Sequence, residues 1–243
     1  MQTQQLRYEI TSNKFDKIPG SPIAYWVSDT FREIFKIGHP IEGIGSVRTG
    51  ISTGKNDLYL RLWYEISNNT INFYQNDMMT INLKEKKYIP YNKGGDARKW
   101  YGNNEYVVNW SEHNNFHRSR PNFADIYLKR GLTWSFVTSG MFSSRYYPDG
   151  FLWDVAGSPC VFDNDDNLFY VLGFLSTKIA SNILKLINPT LNCQVVDIQR
   201  VPIINSNDQK DKIIEISTSS IKESKKDWDS FETSWDFKKH PLI

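Results

Sequence analysis

Glycines at positions 38, 43, 45, 50 and 54 interrupt this chain so often that no long helix or strand can run across the stretch. Short extended pieces joined by tight turns are what such spacing allows. The last two glycines bracket Ile51-Ser52-Thr53, and Lys55, Asn56 and Asp57 follow at once. Glycine reaches backbone angles that other residues avoid and lets a second backbone come close. Behind it, a lysine, an amide and a hydroxyl can hydrogen-bond phosphate oxygens or base edges.

The rest of the chain continues the theme. Residues 1 to about 20 form an irregular lead-in that ends at Ile18-Pro19-Gly20-Ser21-Pro22, where prolines and glycine forbid a regular element. Asp29 is the predicted N-cap of a short helix through Lys36. From Leu58 to about Tyr88 the pattern is strand-like, because Leu58, Leu60 and Leu62 alternate with Tyr59, Arg61 and Trp63. Further strands are predicted at Tyr106–Trp110, Trp134–Thr138 and Cys160–Phe162. Apolar residues from Leu172 to Leu186 recur at helical spacing and predict one well-buried helix, ending near Asn188-Pro189. Past Ile204 the chain turns rich in Lys, Asp, Glu and Ser. Sparse apolar positions (Ile213, Ile214, Ile216, Ile221, Trp228, Phe231, Trp235) predict an amphipathic helix whose stripe needs a partner.

With 243 residues the chain can bury a substantial core. Its net charge of +2 excludes a generic polyanion binder, so the placement of the charges matters more than their sum. Cys160 and Cys193 stand among apolar residues and are expected to be buried free thiols of a reducing compartment. No apolar run reaches the roughly 18 residues of a membrane span, and the first ten residues lack a signal-peptide core. A cytoplasmic protein without membrane partners is the expectation.

Catalytic signatures fail one by one. Gly54-Lys55 looks like the end of a phosphate-binding loop, but Thr49 stands where its first glycine belongs and Asn56 replaces the magnesium-binding hydroxyl. His113 and His117 have zinc-site spacing, yet Glu112 precedes the first histidine instead of following it. Asn188-Pro189-Thr190 lacks the second proline and the aromatic of an amino-methylation motif. No catalytic residue, cofactor site or metal site is therefore assigned to this chain.

Four polar segments carry the remaining chemistry. The first holds Arg48, Thr53, Gly54, Lys55 and Asn56. A second runs from Lys84-Glu85-Lys86-Lys87 through Asn92, Lys93, Gly94, Arg98 and Lys99, with six cations against two acids (Glu85, Asp96), and a third holds Asn114, Asn115, Arg118 and Arg120. The fourth, Ser143–Tyr147, holds Arg145. These residue types neutralise phosphates and make bidentate contacts to base edges, with the asparagines suited to adenine. Trp100, Tyr101, Phe116 and Tyr146 lie between them and are candidates for stacking on bases or covering sugars.

Arg48-Thr49-Gly50-Ile51-Ser52-Thr53-Gly54-Lys55-Asn56 resembles an element of the target-recognition domains of adenine DNA methyltransferases, found in type IIG restriction-modification enzymes and type I specificity subunits. More specifically, the chain resembles the C-terminal recognition region of the PglX family of BREX phage-defence methyltransferases. Ile18–Trp26, Tyr88–Gly95, Gly157–Pro159, Leu191–Ile198 and Trp235–Phe237 carry that similarity in one order along nearly the whole chain. The resemblance implies a full-length enzyme that uses S-adenosylmethionine to methylate the exocyclic amine of adenine. Its Asn-Pro-Pro-Tyr and cofactor-binding glycine motifs would lie outside this sequence.

The expected protein is thus an α+β chain. A twisted, β-rich target-recognition domain with peripheral helices (1–204) precedes the start of a helical spacer (205–243). Its partners would be double-stranded DNA and a methyltransferase catalytic domain or subunit. A module that docks on such a methyltransferase or another defence component, or a small enzyme assembled from dispersed residues, are the alternatives.

Overall fold

A computed structural model of the chain describes residues 11, 18–20, 24–137, 140–206 and 208–243. Most of the predicted lead-in, the middle of the Ile18–Trp26 segment, Thr138 and Asn207 lie outside the described residues.

The fold is α+β. Helix α1 (Asp29–Ile37) is capped by Ser28, whose hydroxyl accepts from the Phe31 amide, one residue before the expected cap. Asp29 instead sits in the first turn and binds the Arg32 guanidinium at 2.9 Å. Strand β1 (His39–Pro40) pairs antiparallel with β10 (Pro202–Ile203). An antiparallel sheet orders β2 (Ser46–Val47), β9 (Pro159–Val161), β6 (Gly131–Trp134) and β7 (Ser144–Tyr147). A second sheet orders β3 (Leu60–Leu62), β5 (Tyr106–Asn109), β4 (Tyr88–Asn92) and β8 (Leu152–Trp153), in which β4 and β8 run parallel.

Three predicted elements come out differently. Leu58 belongs to α2 (Asn56–Tyr59), a single helical turn, and is exposed, so only Leu60–Leu62 of the period-two run forms a strand. The segment from there to β4 is a series of 3₁₀ turns. Strand β6 ends at Trp134, where the sequence pattern placed its start. The apolar run expected as one helix is two, α3 (Asp165–Leu175) and α4 (Lys178–Ile187), bent by 80°. Thr177 causes the break: its hydroxyl donates to the Phe174 carbonyl, closing α3, and accepts from the Ala180 amide, starting α4. No single helix among the described residues is long and apolar enough to cross a membrane.

Two large apolar cores result among the described residues, beside a small cluster of Ile18, Ala24 and Leu186. One joins the first sheet to α3, α4, α5 (Val195–Gln199) and α6 (Lys210–Trp228) through Leu132, Trp134, Leu172, Ile183, Ile198 and Trp228. The other lies on the second sheet around Ile89, Tyr91, Val108 and Trp153. The stripe of α6 finds its partner in α3, where Gly173 meets Ser217 so closely that an added Cβ would lie 2.6 Å from the Ser217 hydroxyl. Beyond α6 the chain crosses to the second core. Trp235 packs against Phe73 and Phe151, with ring centroids 5.0 and 5.7 Å away. The Lys225 ammonium bridges Asp229 (2.6 Å) and Asp236 (2.9 Å), and the Tyr74 hydroxyl donates to Asp236.

Candidate nucleic-acid interface

The polar segments meet along one strip of backbone, β8 and the turn after it. On one side Asn92 accepts from the Asp154 amide (2.8 Å), continuing the parallel β4–β8 pairing. On the other, the Ile51 amide donates to the Trp153 carbonyl (2.7 Å) and the Val155 amide to the Ile51 carbonyl (3.0 Å). The first and second segments are thus laid against the same strip. Two glycines make this possible. A Cβ on Gly50 would lie 2.0 Å from the Asp154 carbonyl oxygen, and one on Gly94, whose φ is +87°, would lie 2.3 Å from that of Ala156.

The third segment closes onto the first. Ser52 and Arg118 exchange both backbone hydrogen bonds (3.0 and 2.9 Å), and the His117 amide donates to the Thr53 carbonyl. The Arg120 Nε donates to the Gly50 carbonyl at 3.3 Å. The first and third segments therefore form one two-stranded rim.

That rim carries free charge. Gly54, Lys55, Asn56, Asn114, Asn115 and Arg118 are exposed, and Arg48 and Arg120 half-buried. Arg48 lies over the Phe123 ring at 5.9 Å. Among the described residues none of Arg48, Lys55, Arg118 and Arg120 forms an ion pair with a carboxylate. Their charge remains available to an external anion. Thr53 is buried and serves from beneath, its hydroxyl donating to Asn56 Oδ1 at 2.7 Å. That bond occupies the Asn56 Oδ1, and the residue itself is exposed. Asn115 gives one of its amide protons to Glu112.

From Asn92 onward the second segment is engaged internally, whereas Lys84, Lys86 and Lys87 at its start are exposed. Asn92 and Gly94 are buried. Lys93 pairs with Asp154 at 2.8 Å. Arg98 stacks its guanidinium over Trp228 at 4.9 Å and donates to Asn103, and Lys99 donates to the Ser176 carbonyl at 2.9 Å. These contacts draw Arg98 and Lys99 towards α6 and the end of α3.

Arg145 departs from expectation outright. The fourth segment is strand β7, not a loop, and Arg145 is 0% exposed. Its guanidinium donates to the Gly94 carbonyl and the Ser135 hydroxyl, both at 3.1 Å, and forms no ion pair with a carboxylate among the described residues. Burial, with the neighbouring Arg98 charge, pulls its pKa down to about 10. A side chain enclosed this way cannot reach a phosphate. Nor are the interleaved aromatics free: Tyr101 and Phe116 are buried, while Trp100 and Tyr146 pack half-buried against the first core.

Sequence reasoning passed over Asp154, Tyr91 and Ser158. The Asp154 carboxylate accepts from the Tyr91 hydroxyl (3.1 Å), the Lys93 ammonium and the Ala156 amide (2.9 Å), and the Ser158 hydroxyl accepts from the Gly50 amide. A hint was legible: three glycines, 50, 94 and 157, fall in separate segments, as close backbone contact requires. Among the described residues no three His, Cys, Asp or Glu side chains are grouped so as to hold a metal ion.

No protein-family model matches the chain. It is 35% identical over 248 aligned residues to the adenine-specific methyltransferase PglX of Lacticaseibacillus casei (strain Zhang), a match covering 97% of this chain and 20% of that protein. It is 36% identical over 236 aligned residues to the adenine-specific methyltransferase BrxX of Escherichia coli O9:H4 (strain HS), covering 95% of this chain and 19% of that protein. The chain spans about one fifth of the length of the curated relatives it matches.

Proposed function

Since the chain is related over nearly its whole length to a segment of the adenine-specific methyltransferases PglX and BrxX, we propose that it is a sequence-specific DNA-recognition domain of such an enzyme. The enzyme would belong to a BREX or restriction-modification type of phage defence and act on the exocyclic amine of adenine in the cytoplasm. This chain would choose the site and not transfer the methyl group; S-adenosylmethionine would bind a catalytic domain or subunit elsewhere. Residues 1–204 are proposed as the recognition domain and 205–243 as the start of a helical spacer.

One observation carries this reading: the rim built by the first and third segments holds four cations that form no ion pair with a carboxylate among the described residues, beside exposed amides. Arg48, Lys55, Arg118 and Arg120 suit phosphates, and Asn56, Asn114 and Asn115 suit base edges. Selection of bound duplexes from a randomised pool tests it, followed by affinity measurements across salt concentrations. A single enriched motif is expected. Arg118→Ala and Lys55→Ala should each lower the salt slope by roughly one unit. No enrichment, with slopes unmoved by both substitutions, would reject it.

A second reading keeps one supporting observation: Tyr25 and Trp26 are 47% and 59% exposed. A module docking onto a methyltransferase through such a surface would associate with it in a salt-insensitive way and leave duplex DNA alone.

A further inference from the structure

Lys93 belongs to the most cation-rich stretch of the chain and by residue type is an obvious phosphate ligand. Its surroundings assign it other work. The Asp154 side chain is only 8% exposed, and its acceptors are filled by Lys93 Nζ (2.8 Å), the Tyr91 hydroxyl (3.1 Å) and the Ala156 amide (2.9 Å). Tyr91 is fully buried. The backbone of Asp154 touches both neighbouring segments: its amide donates to Asn92, and its carbonyl lies against Gly50.

From this geometry we infer that Lys93 and Asp154 form a positioning junction that fixes the first and second segments relative to each other. Lys93 is the internal counter-charge of Asp154 and not a DNA contact. The inference rests on the proposed DNA-recognition role and sharpens it, because it divides the cations into those that meet phosphate and those that hold the reader in shape. If the ammonium swung out to a phosphate, it would leave a nearly buried carboxylate without a counter-charge, and one exposed phosphate contact does not offset that. Tyr91 makes the same point from below. Its hydroxyl ionises far above the usual tyrosine range, chiefly through burial and then through the adjacent Asp154 carboxylate, so it stays a proton donor to Asp154.

The test measures the salt dependence of binding to a random-sequence duplex for the full chain and four variants: Lys93→Met, Asp154→Asn, their combination, and Arg118→Ala. Lys93→Met should keep the wild-type slope while Arg118→Ala loses about one unit. Asp154→Asn keeps the acceptor for Ala156 but frees Lys93, so its slope should steepen by about one unit, and adding Lys93→Met should restore the original value. A slope that falls by about one unit in Lys93→Met alone overturns the inference and leaves DNA recognition standing; this arm decides even if Asp154→Asn fails to fold. Should the wild-type chain bind no duplex, the recognition reading fails, and the junction is judged without DNA. The shifts in urea midpoint of the two single substitutions should then fall short of additivity in the double variant, and full additivity overturns it.

Discussion

Gly50 and Asp154 stand back to back, with room for a hydrogen atom and nothing larger: a methyl group on the Gly50 Cα would lie 2.0 Å from the Asp154 carbonyl oxygen. Both atoms belong to backbone held by the hydrogen bonds of Ile51 to Trp153 and of Asp154 to Asn92, so neither can yield cheaply. Gly50→Ala should therefore destabilise the fold by about 1–3 kcal/mol or more through overpacking. Gly43→Ala, where an added Cβ meets nothing within 4 Å, should stay within about 0.5 kcal/mol of wild type. Urea denaturation of the two variants side by side checks the contrast.

Arg145 separates a structural arginine from a DNA-contacting one. Its removal leaves a void, takes the donor from the Ser135 hydroxyl and leaves the Gly94 carbonyl with Asn103 Nδ2 alone. Arg145→Ala should cost at least about 2 kcal/mol in chemical denaturation. Arg145→Lys should recover only part of that loss, since an ammonium lacks the planar fork that reaches both acceptors. In a titration over salt, a variant that still folds should keep the wild-type slope. A slope reduced by a full unit would show that the side chain reaches DNA after all.

The contact between α3 and α6 runs against helix propensity. Alanine at position 173 would normally strengthen a helix by about 1 kcal/mol, but here its Cβ would meet Ser217 Oγ at 2.6 Å and Ile213 Cγ2 at 2.8 Å. Gly173→Ala is expected to destabilise the protein and to speed amide exchange along α6. Ser217→Ala in the same chain should recover part of the loss by removing one of the two obstacles.

The Lys225–Asp236 bridge predicts a pH window. Burial raises the Asp236 pKa, but the hydrogen bonds from Tyr74 and Lys225 outweigh it and hold the carboxyl below its usual range. Burial lowers the Lys225 pKa, but Asp229 and Asp236 outweigh it and raise the ammonium above its usual range. Asp236 thus contributes stability that is fully present above about pH 4, where the unfolded carboxylate titrates, and is lost as pH falls through the lower folded value. The Lys225 contribution is fully present below about pH 10.4 and is lost as pH rises through the folded value. The gap in urea midpoint between wild type and Asp236→Asn should be widest between those limits and narrow on both sides.

Several elements were legible along the chain because their causes are local. The strand at Tyr106–Asn109 follows from β-branched and aromatic residues in a row, and α1 from a polar cap before an amphipathic turn. Where a local pattern had a rival it misled. The Leu58–Trp63 alternation gave way to a helical turn after Gly54, and the apolar run around Leu175 was cut by the Thr177 hydroxyl. The Gly50–Asp57 segment announced itself by composition. Arg145 differs from expectation because a basic residue among serines and tyrosines has the composition of a loop, and only pairing with β6 makes the segment a buried strand at the end of its sheet.

What the sequence by itself determined is the inventory: short elements, glycines where backbones must touch, and cations and amides gathered in a few segments. Hydrophobic periodicity and backbone sterics act over neighbouring residues, so they can be read in order. Only the tertiary structure decided which of those cations are free. The pairing of Ser52 with Arg118, the Lys93–Asp154 bridge and the enclosure of Arg145 join residues far apart in the chain. Whether a charge faces water or a buried partner depends on such long-range pairings, which composition does not encode.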